Sequence, residues 1–83
     1  MKYENILNRT WEYLENNYKG SEITIELWLR HIEKLCDNDY CLKKCIKLLW
    51  SQWEYFDYEQ RNYDIKYIKE NYGVIVKWKL III

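Results

Sequence analysis

Apolar residues recur every three or four positions along the first two thirds of the chain, the pattern of helices that bury one face. This pattern predicts one helix over residues 3–18, a second over 24–36 and a third over 39–58. The second apolar stripe is the most regular. Its members are Ile25, Trp28, Leu29, Ile32, Leu35 and Cys36.

Residues that end or begin helices lie between these stripes. Gly20 suits the left-handed position that follows a helix. Thr24, or alternatively Ser21, can cap the second helix, because its hydroxyl oxygen can accept a hydrogen bond from a backbone N–H of the first turn. The third helix has three candidate caps in a row: Asp37, Asn38 and Asp39.

The stretch from residue 63 onward fits two incompatible patterns. Its closing part, VIVKWKLI from Val74, is apolar and rich in β-branched residues, which is typical of a strand. The preceding YDIKYIKE, residues 63–70, can pair with it through a turn at Gly73. Because a strand needs a neighbour, this hairpin is the preferred interpretation. As a helix ended by Gly73, the same stretch would align Ile65, Ile68 and Tyr72.

These elements predict a single α+β domain over residues 1–83, with three helices and a C-terminal β-hairpin. A short strand over residues 22–25 would pair with the hairpin, and the order of elements is then winged-helix-like. The alternative is four helices followed by a single C-terminal strand. A strand edge left uncovered would favour a homodimer that pairs along residues 74–82.

The composition is rich in apolar side chains and has no excess charge. Hydrophobic residues make up 49 % of the chain and aromatic residues 18 %, which supplies the dense core that so short a chain needs. Thirteen basic side chains balance thirteen acidic ones, which argues against a strongly basic nucleic-acid binder. Residue types with AT-rich codons dominate, as in the proteins of many phages and mobile elements.

Several features indicate a cytoplasmic protein. The first residues contain no apolar core of a secretory signal. No apolar run approaches the ~18–20 residues that span a bilayer, so no membrane contact is expected. The cysteines are odd in number, which favours reduced thiols.

The cysteines also raise the question of a metal site. His31, Cys36, Cys41 and Cys45 could supply four zinc ligands. Their spacings differ from the Cys-x2-4-Cys pairs of structural zinc sites. Cys36 and Cys45 also lie in apolar stripes, where cysteine is an ordinary small core residue. We therefore expect no metal and no cofactor.

Seven lysines support DNA binding as the alternative function. In a winged helix they would lie on the exposed face of the third helix and on the wing, where lysines contact phosphates. The same face has few Arg, Asn or Gln side chains that could recognise base edges. The lysines are Lys43, Lys44, Lys47, Lys66, Lys69, Lys77 and Lys79.

The stretch WSQWEYFDYEQRNY, residues 50–63, combines aromatic with acidic side chains. Trp and Tyr are frequent anchors of protein interfaces, although such rings can equally fill a core. No set of side chains resembles an active site. The preferred hypothesis is thus a non-catalytic module that binds another protein, such as a phage or mobile-element inhibitor of host machinery, for example a defence complex. The alternative is a winged-helix DNA-binding regulator. The expected protein-binding residues are Trp50, Glu54, Tyr55, Asp57 and Tyr58.

Overall fold

Four helices account for most of the chain that the computed structural model describes, residues 2–53 and 58–77. Helix α1 spans Lys2–Asn17, α2 Ile25–Leu35, α3 Asp39–Gln52 and α4 Tyr58–Tyr72. Residues 73–77 follow α4 without regular secondary structure. The radius of gyration is 12.8 Å, close to the value of about 12 Å expected for a compact domain of this length. Within the described ranges, no helix is both long and apolar enough to cross a membrane.

The first three helices form where their apolar stripes predicted them. Helices α1 and α2 agree with the prediction to within one residue at each end, whereas α3 ends at Gln52, short of the predicted residue 58. Helix α1 packs against both α2 and α3, and α2 also packs against α3. The largest fully buried apolar side chains are Leu14, Ile25, Leu29, Ile32, Ile46 and Ile68.

Polar residues cap α2 and α3 in the predicted manner. The hydroxyl oxygen of Thr24 accepts a hydrogen bond from a backbone N–H in the first turn of α2, over 3.4 Å. Of the three candidates before α3, Asn38 is the cap, and its side-chain oxygen accepts from the Cys41 N–H at 2.8 Å. Gly20 and Gly73 have φ angles of +85° and +67°, which side chains disfavour, so both glycines suit the chain reversals that follow α1 and α4.

The α+β, winged-helix-like prediction is wrong, because the described part of the chain is entirely helical apart from its connections. Residues 63–70 belong to α4 and form no strand of a hairpin. Residues 22–24 form an irregular connection before Ile25 begins α2. The helical alternative for residues 63–70, with Gly73 after its last turn, matches the structure. The strand predicted to follow lies outside the described residues beyond position 77.

A helix separates the buried and charged residues of α4 better than a strand would. Asp64 and Ile68, one helical turn apart, are both buried. Lys66 and Glu70 lie on the exposed side. A strand would place all four on the same face, since its side chains alternate with a period of two. A helix therefore buries Ile68 while Lys66 and Glu70 stay in water, whereas a strand that buried Ile68 would bury both charges as well.

Helix α4 is joined to α2 by two tyrosine hydrogen bonds. The Tyr63 hydroxyl donates to Glu26 Oε1 at 2.9 Å, and the Tyr72 hydroxyl donates to Glu33 Oε2 at 3.4 Å. The carboxylates lie about two helical turns apart on α2, and the tyrosines lie about two and a half turns apart on α4. These bonds fix α4 along the side of α2.

The segment after α4 folds back onto α3. Val74 and Val76 are buried, while Ile75 between them is 70 % exposed. The indole N–H of Trp50 donates to the backbone carbonyl of Lys77 at 2.9 Å. Residues 73–77 thus complete the core around α3 without forming part of a sheet in the described chain.

Candidate functional site

The predicted aromatic-acidic surface is only partly covered by the described residues. Trp50 is 7 % exposed and packs in the core, so its ring is not available as a surface anchor in this structure. Glu54, Tyr55 and Asp57 lie outside the described residues, as does the side chain of Tyr58. The surface formed by these four residues stays a prediction.

The lysines of the DNA-binding alternative do not share one surface of a wing. Lys43, Lys44 and Lys47 lie on α3, whereas Lys66 and Lys69 lie on α4. Lys77 belongs to the segment after α4, and Lys79 is outside the described residues. Two of these lysines form ion pairs within their own helix. The pairs are Lys43–Asp39 at 3.0 Å and Lys66–Glu70 at 3.9 Å.

A groove between the start of α1 and the middle of α3 brings two of these lysines together with a third. The groove has a volume of about 540 Å³. Tyr3 and Leu48 are half-buried at its walls, and its charged residues are exposed. We call this feature the lysine groove. Its lining residues are Lys2, Tyr3, Glu4, Lys44, Lys47 and Leu48.

The lysine groove carries a local positive charge on a chain whose total charge is zero. Three ammonium groups face one carboxylate, that of Glu4. Within residues 2–53 and 58–77, none of the three lysines forms a salt bridge. Lys44 instead lies over the Tyr40 ring, with its Nζ 5.4 Å from the ring centroid. The groove therefore offers a surplus of positive charge beside apolar surface.

The three cysteines form a second constellation, at the junction of α2 and α3. The Cys36 and Cys41 sulfurs are 3.3 Å apart, and the Cys36 and Cys45 sulfurs are 3.8 Å apart. All three Sγ atoms lie within 4.8 Å of one another. Cys41 and Cys45 are buried, while Cys36 is half-buried, and none forms a disulfide. We call this set the thiol cluster.

The environment of the thiol cluster favours protonated sulfur in the absence of a cation. Burial, reinforced by the hydrogen bond with Cys41, raises the pKa of Cys36 well above its usual range. Burial also raises the pKa of Cys45 to about 11. These thiols are consequently poor nucleophiles, because the thiolate is the reactive form.

His31, the fourth residue of the zinc hypothesis, is not part of the thiol cluster. Its imidazole stacks on the Tyr13 ring, with ring centroids 4.0 Å apart and an angle of 8° between the planes. Burial lowers the pKa of His31, and the charges of Lys34 and Arg9 lower it further. His31 therefore packs as a neutral aromatic ring between α1 and α2.

Sequence reasoning missed the α1 half of the lysine groove. Lys44 and Lys47 were singled out, but Lys2 and Tyr3 lie some 40 positions earlier and carry no motif that links them to α3. The one available signal was the apolar stripe of α1, whose first member is Tyr3. That stripe predicted that one face of α1 is buried, but it did not identify α3 as the helix against which this face packs.

Comparisons with protein-family models, with curated proteins and with solved structures give no match to this chain. The case for a function therefore rests on the lysine groove and the thiol cluster.

Proposed function

We propose that this chain is a small, non-catalytic protein-binding module whose lysine groove accepts an acidic, amphipathic segment of another protein. The observation that supports the proposal is one groove of about 540 Å³ that combines apolar walls with three lysines, none of which forms a salt bridge with another described residue. The expected occupant places apolar side chains against Tyr3 and Leu48. Its carboxylates meet Lys2, Lys44 and Lys47.

The two parts of the groove contribute to binding in different ways. Exposed lysines at a rim mainly raise the association rate and select partners by charge, and their effect weakens with added salt. Burial of apolar surface against Tyr3 and Leu48 supplies the larger share of the affinity. We therefore expect an occupant with both acidic and apolar residues, spaced as on one face of a helix.

Selection from a displayed library of random peptides tests this proposal directly. We expect the immobilised protein to enrich acidic peptides with apolar residues three or four positions apart. The double variant Lys44→Glu/Lys47→Glu should bind the selected peptide at least about tenfold more weakly by fluorescence anisotropy, since opposed charges become like charges. The matched control, Lys66→Glu/Lys69→Glu, changes the same charge on α4 and should retain wild-type affinity.

Three outcomes would overturn the proposal. The first is that the library yields no enriched peptide, or yields only peptides that the Lys44→Glu/Lys47→Glu variant binds as well as wild type does. The second is salt-dependent binding of duplex DNA that this variant abolishes, which would favour nucleic acid as the partner. The third is a dimer in sedimentation equilibrium that dissociates in the same variant, which would make a second copy of this chain the occupant.

The biological setting is part of the same proposal. Three reduced cysteines favour the cytoplasm. The AT-rich residue usage favours a phage or mobile-element origin, in which a small binder would inhibit host machinery such as a defence complex.

A further inference from the structure

We infer that Cys36, Cys41 and Cys45 together bind one thiophilic metal ion, with Zn²⁺ as the expected ion. This inference goes beyond the proposed protein binding and does not depend on it. It rests on three sulfur atoms that converge at one point from two helices.

The separations between the sulfurs fit a common metal ion. Zn–S bonds are about 2.3 Å long, so two sulfurs of a tetrahedral site lie about 3.8 Å apart. The Cys36–Cys45 separation is 3.8 Å and the Cys36–Cys41 separation is 3.3 Å, with no pair beyond 4.8 Å. Side-chain movements of up to about 1 Å would bring all three sulfurs to equal distances from one ion.

Local structure holds the three sulfurs in place. Cys36 ends α2, and its backbone N–H donates to the Ile32 carbonyl at 3.0 Å. Two residues later Asn38 caps α3 through the N–H of Cys41, which puts Cys41 in the first turn. Cys45 lies one turn further along the same face. The N-terminal end of α3 also provides the positive end of a helix dipole beside a centre that becomes anionic.

The donor set determines the class of ion. Three thiolates prefer soft cations such as Zn²⁺ and Cu(I). Binding displaces one proton from each thiol, so the complex carries a net charge of −1 with Zn²⁺ and −2 with Cu(I). Because the cluster is mostly buried, the smaller charge is less costly to desolvate, which favours Zn²⁺.

Coordination by three sulfurs leaves one position of a tetrahedral ion open. In the described part of the chain, no histidine or carboxylate joins the cluster. Cys36 is the half-buried member, so the fourth ligand, a water or an exogenous group, would approach from its side. Zinc ions with three protein ligands characteristically keep such an exchangeable position.

Metal titration of the reduced, full-length chain tests the inference. We expect one equivalent of Co²⁺ to bind and to produce the thiolate-to-cobalt charge-transfer absorption, and Zn²⁺ to displace it. Zinc-edge X-ray absorption should show three sulfur neighbours at about 2.3 Å. Competition with a Cu(I)-specific chelator measures whether Cu(I) binds more tightly than Zn²⁺ does.

The variant Cys36→Ser keeps the test interpretable, because Cys36 is half-buried and the substitution should leave the fold intact. We expect it to weaken Zn²⁺ binding at least about tenfold, with unchanged helical circular dichroism. The control variant His31→Asn should bind Zn²⁺ as wild type does. The inference is wrong if the reduced protein binds less than half an equivalent of metal, or if Cys36→Ser binds as tightly as wild type. It is also wrong if mild oxidation joins two of the thiols in a disulfide while the reduced protein takes up no metal.

Discussion

The buried side chain of Asp64 accepts one side-chain hydrogen bond from the described residues. Its side chain is 1 % exposed, and the Gln60 Nε2 donates to Oδ1 at 3.1 Å. In the described chain its second oxygen, Oδ2, has no hydrogen-bond partner. Burial, with a smaller effect from the Glu26 charge, raises the pKa of Asp64 to about 7. The carboxyl group is thus protonated in the folded protein at mildly acidic pH.

This shift of the Asp64 pKa predicts that Asp64 contributes more to the stability of the folded protein in acid than at neutral pH. The unfolded chain releases this proton near pH 3.8, whereas the folded chain holds it to about pH 7. The stabilisation is therefore complete below pH 3.8 and is lost as the pH rises through 7. At about 1.4 kcal/mol per pKa unit, Asp64 should lower the free energy of unfolding by up to about 4 kcal/mol between pH 4 and pH 8.

Urea unfolding of wild type and Asp64→Asn at several pH values measures this contribution. The neutral amide should remove this pH dependence. The free energy of unfolding of the variant should therefore increase relative to that of wild type as the pH rises. The control variant Asp37→Asn, at an exposed position, should follow the wild-type profile. A constant difference between wild type and Asp64→Asn at every pH would mean that Asp64 does not titrate in this range.

At the scale of elements, the two helix caps differ in geometry and should differ in energy. Asn38 accepts its hydrogen bond over 2.8 Å, whereas Thr24 accepts over 3.4 Å, which is a weak bond. Asn38→Ala should therefore lower the free energy of unfolding by about 1–2 kcal/mol, and Thr24→Ala by about 0.5 kcal/mol. Chemical denaturation provides both values. Equal losses would show that the shorter distance carries no additional stability.

Helices α1 to α3 could be predicted from the sequence because apolar residues recur with helical spacing along each of them, whereas the helix was only the second of two interpretations for the α4 segment. The inner face of α4 has Asp64 at a position where the helical pattern requires an apolar residue. Ile65, Tyr67 and Ile68 also favour strands by their intrinsic preference. A buried polar residue thus obscured the helical period, and the apolar stretch after Gly73 then suggested a strand partner.

The three cysteines of the thiol cluster could be named as candidate ligands from the sequence, but their proximity in space could not be predicted. Spacing rules for zinc describe ligands that lie close together on short turns. Here Cys36 and Cys41 are separated by a helix junction, and their sulfurs meet because Asn38 starts α3 immediately after α2 ends. In the sequence His31 is also a candidate fourth zinc ligand, whereas in the structure its ring packs against Tyr13.

At the scale of the whole molecule, Trp50 joins α3 to the segment that follows α4. Because the ring is buried, we expect Trp50→Ala to lower the free energy of unfolding by about 3–5 kcal/mol, in contrast to an exposed anchor. Trp50→Phe keeps an aromatic ring but removes the N–H donor to Lys77, and should cost about 1–2 kcal/mol. Thermal unfolding followed by circular dichroism measures both. If Trp50→Ala left the melting temperature unchanged, the Trp50 ring would have to lie at the surface.

The contact between Trp50 and Lys77 also bears on the order in which the molecule folds. It joins positions 27 residues apart, whereas α1, α2 and α3 are linked by connections of only seven and three residues. Short connections close first, because loop closure costs less entropy, so the three-helix core should form before residues 73–77 dock. Val76→Ala should then accelerate unfolding and leave the folding rate nearly unchanged, while Ile32→Val in α2 should slow folding. Stopped-flow chevron plots distinguish the two cases, and slower folding of Val76→Ala would place docking of this segment in the folding nucleus.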